Sequence, residues 1–243
     1  MKIKYFAGGN RLSTLEKIHD DENFSISEIY IADIEPNFEK YDLFAKKNNI
    51  NIVKVSKKNM KSKFKYNEED ILLSVGFRYI IPKNIFSMFK YAINIHPSLL
   101  PKYKGAYSGY AIIENGESET GITAHFIDDG VDSGDIINQI RIPIKAYDTI
   151  DTLTNKLLDI EPGFVRDTIL KIKQKSFQRI KQKTIDNEVI YNKKRTPEDS
   201  LIDPNISLVE LLPKIKSCSE KYPSYFIMNG VKVKIRLEFE VED

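Results

Sequence analysis

Residues 91–105 read YAINIHPSLLPKYKG, and the way this stretch ends decides the architecture around it. Ile93, Asn94, Ile95 and His96 alternate, so in an extended strand Asn94 and His96 share one face and the two isoleucines the other. Pro97 disfavours a helical residue before it and Pro101 lacks a ladder donor, so the strand gives way to a loop at His96. In an open α/β sheet, that C-terminal strand edge is where ligands bind.

Working outward, β-rich runs recur at 3–7 (IKYFA), 28–32 (EIYIA), 50–55 (INIVKV) and 70–75 (DILLSV), with helical stretches between them. This alternation predicts an α/β fold built on a mostly parallel sheet with helices on both faces. Ser13 and Glu16 have capping-box spacing ahead of Leu15 and Ile18, and Phe38, Tyr41 and Phe44 repeat at helical intervals, so both crossovers read as helices. Residues 119–142 read as two strands separated by a loop rich in Gly, Asp and Ser. A long helix is expected from about 149, kinked or broken at Pro162-Gly163.

Nine Lys or Arg lie between 171 and 195 with few large apolar side chains. That run reads as a solvated linker, which divides the chain into a main domain, 1–180, and a small α+β subdomain, 181–243. In the tail, SYFIM and VKVKIRLEFE flank Asn229-Gly230, the strongest short-range signal for a β-hairpin.

With 243 residues, 41% of them apolar and 30% charged, and a net charge of +2, the chain is an ordinary globular one. Nothing global calls for nucleic acid or a membrane as partner. The N-terminus MKIKYFAGG has no apolar leader region and no run of 18 apolar residues occurs, which points to the cytoplasm. The one cysteine, Cys218, reads as a buried structural thiol.

Chemistry concentrates at Asn94 and His96. Asn donates hydrogen bonds to a developing oxyanion, and His exchanges a proton near neutral pH when a partner fixes its tautomer; Asp132 is the candidate partner. Spacing alone leaves open a strand cap and a structural histidine. The three histidines lack a tight ligand-spaced partner set, so no metal is expected. G-x-S-x-G does not occur, which disfavours a nucleophile-elbow hydrolase. The opening AGGNRLST lacks a dinucleotide fingerprint, and Gly9, Asn10 and Arg11 are open to two readings, a turn or the lining of a ligand site.

The segments INIHPSLLPKYKG at 93–105 and HFIDDGVDSGDII at 125–137 resemble the signature of the folate-dependent formyltransferases. That family includes glycinamide ribonucleotide, methionyl-tRNA and nucleotide-sugar enzymes. The separation of His96 and Asp132, 132 minus 96 or 36 residues, matches the family pattern. The resemblance implies a Rossmann-like formyltransferase fold, N10-formyltetrahydrofolate as the formyl donor, and Asn94, His96 and Asp132 as the catalytic residues. It also implies folate contacts from VGFRYIIP at 75–82, hence Phe77, Arg78, Tyr79, Ile80 and Ile81, and from the loop at Asp128, Asp129 and Gly130.

The segment from Tyr191 onward is similar to the subdomain of the tRNA and nucleotide-sugar members. Only 52 residues (243 minus 191) follow Tyr191, too few for the β-barrel of methionyl-tRNA enzymes. The resemblance therefore implies a nucleotide-linked amino sugar as acceptor, with dTDP-4-amino-4,6-dideoxyglucose first among them, formylated for surface polysaccharide such as O-antigen. GAYSGY at 105–110 departs from the GAAPIQ of tRNA members and sets Tyr107 and Ser108 where an acceptor can be gripped, although Tyr107 also suits helix-start packing. Lys102, Lys193, Lys194 and Arg195 are candidates to neutralise a diphosphate. A methionyl-tRNA enzyme and a non-catalytic folate or nucleotide-sugar binding module are the alternatives. A homodimer paired through the hairpin edge is expected.

Overall fold

Ile3, Tyr5, Ile29, Ile31, Ile71, Leu73, Ile93 and Ile95 are all buried and gather in one apolar cluster, while Phe6, Tyr30, Leu72 and Ala92 form another on the opposite side of the same strands. Strands apolar on both faces need cover on both, which is why helices flank the sheet on each side. The computed structural model describes residues 1–66, 69–182 and 195–240.

The elements follow in the order β1 (Lys2–Ala7), α1 (Leu12–His19), β2 (Ser25–Ala32), α2 (Phe38–Lys47), β3 (Asn51–Val55), α3 (Met60–Lys63), β4 (Ile71–Val75), α4 (Lys83–Phe86), β5 (Tyr91–His96), α5 (Ser108–Glu114), β6 (Glu119–Phe126), β7 (Ile136–Pro143) and α6 (Ile150–Lys173). A 3-10 turn at Pro197–Ser200, α7 (Leu208–Ser217), β8 (Ser224–Met228) and β9 (Val231–Ile235) complete the tail. The seven-stranded sheet has the order β3-β2-β1-β4-β5-β6-β7. β1 to β5 pair in parallel, and β6 and β7 are antiparallel additions. The chain winds outward from β1 in one direction and restarts at β4 in the other, so the strand order reverses between β1 and β4 and leaves a crevice at their C-terminal ends.

Two glycines permit that crevice. A Cβ on Gly8 would lie 2.2 Å from the Gly76 carbonyl oxygen, and Gly76 itself adopts φ +67 with the Gly8 oxygen 2.5 Å from its Cβ position. The strand ends therefore cross backbone on backbone, which only glycine allows.

Several sequence expectations need correction. Ser13 and Glu16 form no capping box: Arg11 is the N-cap of α1, without a side-chain bond, so Ser13 already lies inside the first turn. The reciprocal cap occurs at α6 instead, between Thr149 and Thr152. Pro162-Gly163 does not end α6, which runs from Ile150 to Lys173. Leu153, Leu157, Phe164, Val165 and Ile169 lie buried on both sides of the proline, and their packing offsets the cost of about 3 kcal/mol for an interior proline. Of the expected linker, residues 183–194 lie outside the described residues; ahead of them Phe177 packs on the main core and Ile180 bridges to Ile136. Cys218 is only half-buried, its Sγ donating to the Lys214 carbonyl. The expected hairpin is present, with Asn229 at φ 49 and Gly230 at φ 77 turning β8 into β9.

Candidate active site

The alternation in β5 holds. Ile93 and Ile95 enter the main core, which turns Asn94 and His96 to the other face, toward the C-terminal edge. Antiparallel pairing sets His125 of β6 directly opposite Asn94 and Thr123 opposite His96. The loop after β6 then carries Asp132 back over these side chains.

The three expected residues meet. Asp132 Oδ2 lies 3.3 Å from His96 Nδ1, and Asn94 Nδ2 donates to Asp132 Oδ1 at 3.1 Å. Gly105, at the end of the KYKG turn, donates its backbone N–H to Asp132 Oδ2 at 2.8 Å. His96 is buried, and its Nε2 lies 2.8 Å from the Tyr103 carbonyl. A carbonyl only accepts, so Nε2 carries a hydrogen and Nδ1 is the nitrogen that exchanges a proton with Asp132.

One member of the cluster was passed over in the sequence. His125 Nε2 lies 3.3 Å from Asp132 Oδ1 and 3.2 Å from Asn94 Nδ2, while its Nδ1 faces the Phe126 carbonyl at 2.8 Å. The signal was present, since His125 opens the HFIDDG motif, but its position opposite Asn94 depends on the β5–β6 register.

Burial alone would push the Asp132 carboxyl upward; the His96 and His125 rings and the Gly105 N–H outweigh it and hold the carboxyl well below the usual range. The same burial lowers the affinity of His96 for a second proton, against the pull of Asp132 and the Tyr103 carbonyl. The site is therefore a fixed carboxylate beside a ring that gives up its proton readily, a combination suited to relaying a proton. Asp132 also holds φ +49, a left-handed conformation uncommon outside glycine that persists where surrounding contacts enforce it.

Other expected site residues are dispersed. Phe77 packs edge-on against Phe6 and Tyr79, Ile81 is buried, and Ile80 is 77% exposed. Arg78 pairs with Glu35 at 2.7 Å and Tyr79 donates to Asp33. Asp129 pairs with Lys83, which joins the 77–83 segment to the loop after β6. Asp128 accepts from Gly130 N at 3.1 Å and Ser133 Oγ at 2.7 Å, closing that loop on itself. At the β1 end, Gly9 donates to Glu35 at 3.0 Å and Asn10 accepts from Lys40 at 3.4 Å. Arg11 lies 3.3 Å from the buried Glu161, which also accepts from Thr14 at 2.8 Å. Glu161 is a second residue not anticipated from sequence.

The remaining expected acceptor contacts are engaged elsewhere. Lys102 pairs with Glu117 at 3.2 Å. Tyr107, at φ 62, is the N-cap of α5 and lies against Tyr110, whereas Ser108 is buried at the helix start. Arg195 pairs with Glu114 at 2.8 Å and stacks over Tyr110, so it fastens the tail to α5. Lys193 and Lys194 lie outside the described residues. Among the described residues, no group of three or more His, Cys, Asp or Glu is arranged to hold a metal, and no helix is long and apolar enough to cross a membrane.

Residues 35–169 match the model of the formyl transferase family, and the chain belongs to that family. A methionyl-tRNA formyltransferase of Buchnera aphidicola subsp. Acyrthosiphon pisum is 34% identical over 167 residues, 68% of this chain and 52% of that protein. The chain spans about half the length of the curated relatives it matches. Among solved structures, WlaRD, a sugar 3N-formyl transferase crystallised with dTDP and 5-N-formyl-THF, superposes with a TM-score of 0.77 at 27% identity, covering 96% of this chain and 84% of that one. A 4-N formyltransferase from Francisella tularensis shares the fold, with a TM-score of 0.80 at 23% identity over 99% of this chain and 98% of its own.

Proposed function

We propose that this formyl transferase family member moves a formyl group from N10-formyltetrahydrofolate to the amine of a nucleotide-linked amino sugar. The observation that carries the reading is the cluster of Asn94, His96, His125 and Asp132 at the crevice edge, a buried acid–base pair beside an amide donor. As the acceptor nitrogen adds to the formyl carbon, charge develops on the formyl oxygen. The Asn94 amide trades one of its internal contacts for that oxygen, with His96 beside it. Asp132 orients His96, and the pair takes the proton lost by the acceptor nitrogen and delivers it to the departing folate nitrogen.

The formyl donor suits the two segments joined by Lys83 and Asp129: Phe77, Tyr79 and Ile80 offer a rim with both apolar and polar edges, and Arg78, Ile81, Asp128 and Gly130 bring backbone groups for a flat pterin ring. A sugar acceptor is supported by the likeness to WlaRD, which extends over 96% of the chain and so includes the tail. Gly9, Asn10 and Arg11 at the mouth of the crevice, with Tyr107 beside α5, are the acceptor contacts in this reading. dTDP-4-amino-4,6-dideoxyglucose is the first acceptor to test, in keeping with a role in surface polysaccharide assembly in the cytoplasm. The apolar side chains Ile227, Met228 and Val231 on the hairpin are exposed, which supports pairing of two copies there; sedimentation as a monomer at micromolar concentration would contradict it.

The curated relatives favour a second acceptor, initiator methionyl-tRNA. The deciding experiment is formyl transfer from N10-formyltetrahydrofolate to a panel of nucleotide amino sugars with that tRNA alongside. Product with a sugar alone supports the reading, product with tRNA alone replaces the acceptor and keeps the chemistry, and formate release without any acceptor overturns transfer.

A further inference from the structure

The stretch that follows α6 reads in the sequence as a basic linker, yet it returns to the loop that carries Asp132. Phe177 packs against Tyr91 and Phe126 with ring centroids 5.8 and 6.0 Å apart, and the Arg179 guanidinium lies 3.9 Å above the Phe126 ring. Ile180 and Ile136 then exchange both backbone bonds, at 2.8 and 2.9 Å, like a short added strand. Two residues further on, Gln182 Nε2 donates to the carbonyl of Asp132 at 2.9 Å and to the carbonyl of Gly134 at 2.7 Å.

Those two bonds have a specific mechanical effect. Both partners are carbonyls, which only accept, so the nitrogen of the Gln182 amide is identified and both its hydrogens are used. The bonded carbonyls belong to the residues on either side of Ser133, so the peptide plane after Asp132 and the one after Gly134 are tied to one rigid group. The plane that follows Asp132 sets its ψ, and with φ at +49 the residue has little intrinsic preference for its place. Gly134 lies equally close to its surroundings, since a Cβ there would come within 1.9 Å of the Phe126 carbonyl oxygen. The loop is thus fixed on one side by Phe126 and on the other by Gln182, and its carboxylate meets His96, His125, Asn94 and Gly105 together.

We propose that Gln182 is a positioning residue for the reaction: its amide holds the Asp132 backbone in the left-handed turn that aims the carboxylate at His96 and His125. The proposal rests on the formyl-transfer reading for its kinetic consequence, but not for its structural one. A donor at this place that only closed off two carbonyls would contribute stability without affecting turnover.

The test compares wild type, Gln182→Met, which keeps the length and loses both donors, and Gln182→Glu, which sets a carboxylate against two carbonyl oxygens. Steady-state formyl transfer, thermal unfolding by circular dichroism, and titration of the His96 ring by NMR are measured on each; with three histidines in the chain the ring signals are few. In Gln182→Met, kcat falls by up to about 100-fold, the cost associated with displacing a reacting group by about an ångström, while both KM values stay near wild type. The His96 ring titrates at lower pH, because the carboxylate that favours its charged form has moved away. Gln182→Glu has the larger effect on both. Unchanged kcat with an unmoved His96 titration in a folded variant overturns the proposal, as does a raised KM for the formyl donor at constant kcat. Should the wild type transfer no formyl group, the functional reading fails, and the His96 titration still decides whether Gln182 sets the place of Asp132.

Discussion

Asp132 and Glu114 each gather several donors, in two regions that are built differently. Asp132 collects Asn94, His96, His125 and the Gly105 N–H from adjacent strands and their loops. Glu114 collects Arg195, Lys214 and Ser217 from the tail, at 2.8, 2.9 and 2.8 Å, and ties them to α5. The first carboxylate belongs to a sheet with two large apolar clusters. The second holds a tail whose buried apolar cluster consists of Ile202, Leu211 and Ile215. Strand register imposes the geometry around Asp132, whereas side-chain charge imposes the docking around Glu114, and the consequences of disturbing each should differ in kind.

The largest effect is expected at the first region. On the formyl-transfer reading, Asp132→Asn lowers kcat by about 10²- to 10⁴-fold, the usual reach of general acid–base catalysis, with an unchanged circular dichroism spectrum. Full turnover in that variant would remove Asp132 from the mechanism. Next, Gly8→Ala forces a Cβ to within 2.2 Å of the Gly76 oxygen and should destabilise the sheet domain by about 1–3 kcal/mol, as overpacking does. Urea unfolding measures it, and a neutral result would mean the β1–β4 crossing is looser than described.

Glu114→Gln sharpens the contrast from the other side. It leaves Arg195 and Lys214 without their shared counter-charge, and the tail should open more readily by about 1–2 kcal/mol, seen as faster amide exchange in α7. Exchange in β4 and β5 should not change; if it does, tail and sheet form one cooperative unit and the comparison fails.

The smallest effect concerns pH. The backbone N–H of Asn23, with Arg166 beside it, lowers the Asp21 carboxyl from 3.8 to about 2, and this contact links the end of α1 to α6. A carboxyl with a depressed folded pKa contributes stability that is present above its unfolded value and lost as pH falls through the folded one. Melting temperature should therefore drop as pH falls from about 4 toward about 2, and Asp21→Asn should flatten part of that slope. An identical slope in the variant would assign the loss to the other depressed carboxyls, Asp132 and Glu35 among them.

Legibility followed the same division. Ile93, Asn94, Ile95 and His96 alternate in the sequence as they do in β5, because a strand's two-residue period is local. The Asn229-Gly230 turn is equally local, since only residues tolerant of positive φ suit it. Ser13 misled because a capping box needs the helix to start at the right residue, and Arg11, donating its N–H to the Tyr41 hydroxyl at 3.3 Å, starts it elsewhere. Of the two outcomes expected at Pro162, a kink or a break, the break does not occur, because burial on both sides of it outweighs its propensity. Arg195 gave no sign that a carboxylate 81 positions earlier would engage it.

By itself, then, the sequence determined the strands and the hairpin, since these depend on short-range periodicity and turn chemistry, while Asn94, His96 and Asp132 were legible together through the family resemblance of their motifs. The tertiary structure alone decided that His125 stands opposite Asn94, that Glu161 engages Arg11, and that Gln182 returns to bind the carbonyl of Asp132. Those contacts join residues 31, 150 and 50 positions apart. Only strand register and packing of the whole sheet bring such residues together, and neither leaves a local trace in the chain.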